Sequence, residues 1–162
     1  NLLRLNDQKV VARCPEMGEP PDLLVYPASD AGGVRTLQKA VAALRAKGVD
    51  PAHIAVLTFS GQERSQVLAL SAIGGVAVRK FTGRFDTAGN AVWTQGDLLL
   101  ETLYRFKGQA APYVILCEVD FAALDDKQRR KLFVGMTRAQ LHLTLVMSQA
   151  TEAAFSDALN AA

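Results

Sequence analysis

The residues best suited to chemistry lie in the second half of this 162-residue chain. Thr137-Arg138-Ala139 closes an amphipathic stretch that opens at Asp125 and runs straight into an apolar one, so Arg138 should stand where a helix gives way to a strand. A guanidinium there offers five donors in a rigid fork that suits a phosphate. The plain alternative is a helix-end arginine on the last carbonyls, worth at most about 1 kcal/mol. Upstream, Thr102-Leu103-Tyr104-Arg105-Phe106-Lys107-Gly108-Gln109 sets a hydroxyl, an aromatic ring and two cations ahead of the apolar run Tyr113–Val119. Taken alone that combination is an ordinary strand end with solvated Arg105 and Lys107, and Gly108 permits a tight turn there. A third polar group, Ser60, Gln62, Arg64 and Ser65, follows the apolar run Ile54–Phe59, where short side chains could bond phosphates or simply start a helix.

Other chemistry is missing. A hydrolytic phosphate loop needs G-x-x-x-x-G-K-[ST], and the chain has no Gly-Lys dipeptide; a G-x-G-x-x-G dinucleotide fingerprint is also absent. Glu118 and Asp120 end an apolar run as Mg²⁺-holding acids do, but without a phosphate loop they read rather as acids that cap the next turn or lie at the sheet's edge. Cys14, Cys117, His53 and His142 lack metal-ligand spacing, so no metal site is expected and both thiols read as reduced core groups of a cytoplasmic protein.

The elements that must position these residues alternate in type. Leu23–Tyr26 is a short strand; Val34, Leu37, Val41 and Leu44 recur at helical spacing, with Ser29 and Asp30 as caps and Gly48 as the stop. Ile54–Phe59 is a buried strand, Gln62–Ser71 a second helix, Val76–Phe81 another strand and Gly83–Gly96 a loop or short hairpin. Leu99–Phe106 and Tyr113–Val119 follow as strands, then a helix opened by Asp125 with Gln128 three residues on, then the strand Leu141–Met147 and an alanine-rich helix. Such alternation predicts an α/β fold, three layers with a mostly parallel sheet.

The order and spacing of two segments resemble UvrD-like helicases. Thr102, Tyr104, Lys107 and Gly108 fall on the family's T-x-H-x-x-K-G-L-E pattern, and Leu132-Phe133-Val134-Gly135-Met136-Thr137-Arg138-Ala139 on [LF]-[YF]-V-[AG]-x-T-R-A, patterns usually called motifs V and VI. The resemblance implies a RecA-like three-layer domain over residues 1–162, the second lobe of an ATP-dependent DNA helicase and a fragment of a longer chain. It implies that Arg138 is an arginine finger reaching ATP, which with Mg²⁺ is held mainly by a missing first lobe. Lys107, Gly108, Gln109 and Thr137 would lie beside the nucleotide. Thr102, Tyr104, Arg105, Ser60 and Arg64 would contact single-stranded DNA. The first lobe of the same parent chain is the implied partner, and the fragment alone is expected to be inactive. Two departures stand out: Tyr104 replaces the usual histidine, and Ala110 the glutamate that commonly contacts the ribose. Ala110 leaves room for a rival reading, a RecA-like binding or regulatory module without motor activity.

Composition is neutral on these points. A formal charge of +2 does not by itself argue for nucleic acid, and no apolar run approaches the roughly 20 residues of a membrane span. The absence of an initiator methionine at Asn1 fits the expectation of a fragment.

Overall fold

The computed structural model describes residues 20–160. In chain order these form β1 (Asp22–Tyr26), α1 (Val34–Ala46), β2 (Ile54–Thr58), β3 (Ala72–Ile73), β4 (Val76–Arg79), β5 (Phe81–Phe85), β6 (Ala91–Trp93), β7 (Leu98–Thr102), β8 (Ala111–Val119), α2 (Asp126–Met136), β9 (Ala139–Ser148) and α3 (Gln149–Asn160). Cys14 lies outside the described residues.

The main sheet has the order β1-β9-β8-β2-β7-β4-β3, parallel throughout except for β3 against β4 at one edge. Its central strands read as continuous apolar runs because both faces are covered; every residue of β2 is buried. Leu37, Val41 and Leu44 of α1 pack on one face with Val56, Leu100 and Ile115, while Leu132 of α2 and Ala154 of α3 pack on the other with Leu57, Leu116 and Leu145. The result is the three-layer, mostly parallel α/β domain that the alternation predicts.

The start of α1 is fixed by Asp30, which is buried and accepts from the Arg35 and Thr36 amides at 2.9 Å and the Thr36 hydroxyl at 2.7 Å. Those bonds hold its carboxyl below the usual aspartate range although burial pushes the other way. Ser29, the other cap expected, gives its backbone carbonyl to Arg35.

Three expectations are corrected. Gln62–Ser71 is not a helix but a set of turns with one 3₁₀ turn at Val67–Ala69. The Glu118 carboxylate captures the Gln66 and Val67 amides, and Ser65 Oγ takes that of Leu68, so the donors a helix would use are committed elsewhere. The strand expected over Leu99–Phe106 stops at Thr102, after which Phe106 N–H donates to Thr102 O at 3.1 Å and Gln109 N–H to Phe106 O at 3.1 Å. A winding crossover is needed there because β7 and β8 run parallel to β2, so the chain must return to the sheet's amino edge before β8 begins. Finally, the strand over Val76–Phe81 breaks at Lys80, whose ammonium bonds the Leu68 and Leu70 carbonyls, and β5 leaves to pair only with β6 as a hairpin.

Candidate functional site

The register divides the singled-out residues between two edges of one sheet. Thr58 of β2 is level with Thr102 of β7 and Cys117 of β8, which sets Ser60, Thr102 and Glu118 at the carboxyl edge. Ala111 of β8 is level with Ala139 of β9, which sets Gln109 and Arg138 at the amino edge. Six residue steps along β8, from Ala111 to Cys117, separate the two levels by roughly 20 Å.

At the carboxyl edge the organising group is Glu118, a residue that composition and spacing left as a cap. It is buried, sits at φ 55°, and accepts from the hydroxyls of Thr58 and Ser65, the latter at 2.5 Å, and from the amides of Gln66 at 2.7 Å and Val67 at 3.3 Å. A non-glycine residue in the left-handed region carries a conformational cost of about 1–3 kcal/mol and persists only where its surroundings over-determine it. Four donors on one carboxylate do that. Their effect is to pin the polar loop after β2, which leaves Arg64 exposed.

Behind that loop is a hollow of about 520 Å³ lined by Tyr26, Asp30, Glu118 and Asp120, with Arg64 the single cation among the described residues that line it. Burial, then Asp120 and Glu118, push the Tyr26 hydroxyl up to about 12. So acidic a hollow repels phosphate, and an anion meeting this edge would engage Arg64 from outside. Asp120 accepts from Ser148 Oγ at 2.6 Å, and Glu118 is spent on the loop; both acids therefore serve local structure. Among the described residues no group of three or more His, Cys, Asp or Glu is arranged to hold a metal ion.

The crossover after β7 turns consecutive residues in different directions. Thr102 is buried and its hydroxyl accepts from the Arg105 amide at 3.3 Å. Arg105 bonds Glu101 at 3.0 Å and lies 3.9 Å from the centroid of Phe81, facing the hairpin. Tyr104 is 68% exposed and faces α2 instead, where the Lys131 ammonium lies 5.6 Å from its ring and 4.2 Å from that of Phe59 and donates to the Phe59 carbonyl. Thus the structure brings Tyr104 together with Lys107 and the α2 lysines, and sends Arg105 elsewhere. Lys131, half-buried, belongs in the sequence to a basic run, Lys127, Arg129, Arg130 and Lys131, which reads most simply as a solvated helix face and otherwise as one that steers DNA or meets a partner lobe.

At the amino edge Arg138 follows the Thr137 that caps α2. Its Nε donates to Val134 O at 3.0 Å, Nη1 to Gln109 O at 3.1 Å and Nη2 to Thr137 Oγ1 at 3.1 Å. The sequence-chosen trio Gln109, Thr137 and Arg138 is therefore one cluster, with the guanidinium half-buried and held in place. Gly108, at φ 82°, makes the turn that delivers Gln109 there. Gly135, one helical turn inside, lets α2 approach the sheet: a Cβ at that position would come within 2.8 Å of Leu116 Cδ2.

Residues 97–146 match the family model of the UvrD-like helicase C-terminal domain, an interval that takes in β7, the crossover, β8, α2 and most of β9. The fold is similar to that of the C-terminal domain of a possible DNA helicase from Lactobacillus plantarum WCFS1, with a TM-score of 0.56, 23% identity, and coverage of 82% of this chain and 79% of that one. No curated protein matches the chain by sequence. No helix among the described residues is long and apolar enough to cross a membrane.

Proposed function

We propose that this chain, matched to the UvrD-like helicase C-terminal domain over residues 97–146, works as the second lobe of an ATP-dependent DNA helicase or translocase in the cytoplasm. The observation that carries the reading is the pre-set cluster of Gln109, Thr137 and Arg138 at one sheet edge, 20 Å or so from a polar and aromatic set at the other, with one crossover turn joining them. Arg138 completes an ATP site whose phosphate loop and Mg²⁺ ligands belong to a first lobe of the same parent chain. Gly108, Gln109 and Thr137 flank the nucleotide, while Lys107 turns to the groove beside Tyr104.

In this reading ATP draws the lobes together through Arg138, and hydrolysis releases them. Each closure moves the grip that Ser60, Arg64 and Tyr104 have on single-stranded DNA; Thr102, buried, and Arg105, turned to the hairpin, support the crossover turn instead of touching it. The shift is driven by unequal affinity for the ATP and ADP states, since a ligand moves an equilibrium only by its differential binding. The chain alone has no phosphate loop and hydrolyses nothing.

One observation favours a second reading. Ala110 stands where the family's ribose-contacting glutamate would be, and its side chain accepts no hydrogen bond. A lobe that had stopped using ATP would serve as a binding or regulatory module. ATP hydrolysis and travel along single-stranded DNA by the parent protein separate the two: both are expected here, and a parent that binds DNA but neither hydrolyses nor moves supports the module.

A further inference from the structure

Outside the acidic hollow and the Arg138 cluster, the described residues leave one strongly charged feature unexplained. A groove of about 280 Å³ runs between the crossover turn and α2, floored by Leu103 and Val134 with Tyr104 along one wall. Its rim holds Lys107, Lys127, Arg130 and Lys131, and among the described residues no carboxylate lines it. Surface cations in folded domains are ordinarily interspersed with acids; here four converge, and Lys131 is drawn inward on the rings of Phe59 and Tyr104. The cost shows in Lys131, whose ammonium is made more acidic by burial first and then by Lys127 and Arg64. A like-charged arrangement of this kind is relieved by a polyanion.

The geometry selects the polyanion. Lys127 and Lys131 are one helical turn apart, about 6 Å, and Arg130 stands beside them. The same stripe of α2 continues to Val134, since positions 127, 131 and 134 follow the i, i+4, i+7 spacing of one helix face. A row of cations beside an exposed, cation-backed tyrosine ring is the pairing that tracks a flexible phosphate backbone while stacking its bases.

We propose that this groove binds single-stranded nucleic acid, with Lys107, Lys127, Arg130 and Lys131 on consecutive phosphates and Tyr104 under a base. The site deepens the proposed function by adding α2 to the grip, so that one rigid helix carries nucleic acid near its first turns and Arg138 just past its last.

The test is equilibrium binding of a fluorescent oligothymidine to the full chain without ATP, followed by anisotropy across a salt series, so that its failure is separable from failure of the ATPase reading. Lys127→Gln with Arg130→Gln, both exposed, should weaken binding at least tenfold and flatten the log K against log salt slope by about 1.4, or 0.7 per lost phosphate. Tyr104→Ala should weaken it about five- to a hundredfold with the slope unchanged. Lys39→Gln with Lys47→Gln, on α1 across the sheet, removes equal charge and should change affinity less than twofold. Unchanged affinity and slope in the α2 pair would overturn the proposal, as would an equal loss in the α1 pair, which reports net charge alone. Circular dichroism melts of each variant guard against a folding defect, and the exposed α2 pair keeps the test decisive should Tyr104→Ala melt early.

Discussion

Replacing Glu118 tests the link from a buried carboxylate to the loop that presents Arg64. In Glu118→Ala the two hydroxyls can turn elsewhere: Thr58 Oγ1 already lies 3.5 Å from the Ser60 carbonyl. The amides of Gln66 and Val67 cannot, and each buried donor left unpaired costs about 1–3 kcal/mol. The Val67 amide is buried and meets the upper part of that range, the Gln66 amide is half-covered and meets the lower, so the expected loss is about 3 kcal/mol. Alanine keeps the unfavourable φ and recovers nothing from the backbone. Glu118→Gln differs, because its amide oxygen can still accept from both backbone N–H groups while its NH₂ donates to the hydroxyl oxygens, at a cost of about 1 kcal/mol. Urea denaturation gives both values, and amide hydrogen exchange over residues 60–70 shows whether the loop opens. A Glu118→Ala protein within about 0.5 kcal/mol of the parent, or alanine and glutamine variants of equal stability, would refute the reasoning.

Glycine contacts give a paired prediction. A Cβ at Gly96 would lie 2.5 Å from the Ala77 carbonyl oxygen and 2.5 Å from Val78 C, both backbone, so Gly96→Ala should cost about 1–3 kcal/mol; Gly61 has open space and an ordinary φ, so Gly61→Ala should be neutral or stabilise by about 0.5 kcal/mol, both read by denaturant midpoint. Tyr26 predicts an alkaline limb. Its hydroxyl is raised from 10.0 to about 12 in the fold, so the unfolded state loses its proton first; this contribution is complete below pH 10 and is lost as pH rises towards 12. Urea midpoints across that window should fall for the parent and stay flatter for Tyr26→Phe; identical curves would count against the buried acidic hollow.

Much of the fold was legible because the strongest signals were periodic. The apolar runs Ile54–Phe59, Tyr113–Val119 and Leu141–Met147 are β2, β8 and β9 to within two residues at each end, and Asp125 caps α2 through the Gln128 amide at 2.7 Å, the spacing that announced it. The misread segments are those whose conformation is decided from a distance. Nothing between Gln62 and Ser71 reveals that a carboxylate more than 50 positions later will take its amides. Nor does Leu99–Phe106 reveal that its strand must stop for a parallel crossover. Within the candidate site, Gln109, Thr137 and Arg138 were chosen from motif spacing and do meet. Arg105 and Tyr104, adjacent in sequence, part company because a helical turn points neighbours about 100° apart, one to the hairpin and the other to α2. Lys131 is legible in the sequence only as one of a basic run, because what sets it apart is the rings it meets, and those come from β2's end and the crossover.

The most direct test of the central claim is the rate of ATP hydrolysis, with saturating single-stranded DNA, by the parent protein carrying both lobes, comparing the native chain with Arg138→Ala and measuring the affinity for a non-hydrolysable ATP analogue alongside. The account predicts a loss of about 10³ or more in turnover with analogue affinity much less affected, as expected of a cation that acts on the transition state. A DNA-stimulated rate that survives the substitution would contradict it, and would leave Arg138 as the tie between α2 and the crossover turn.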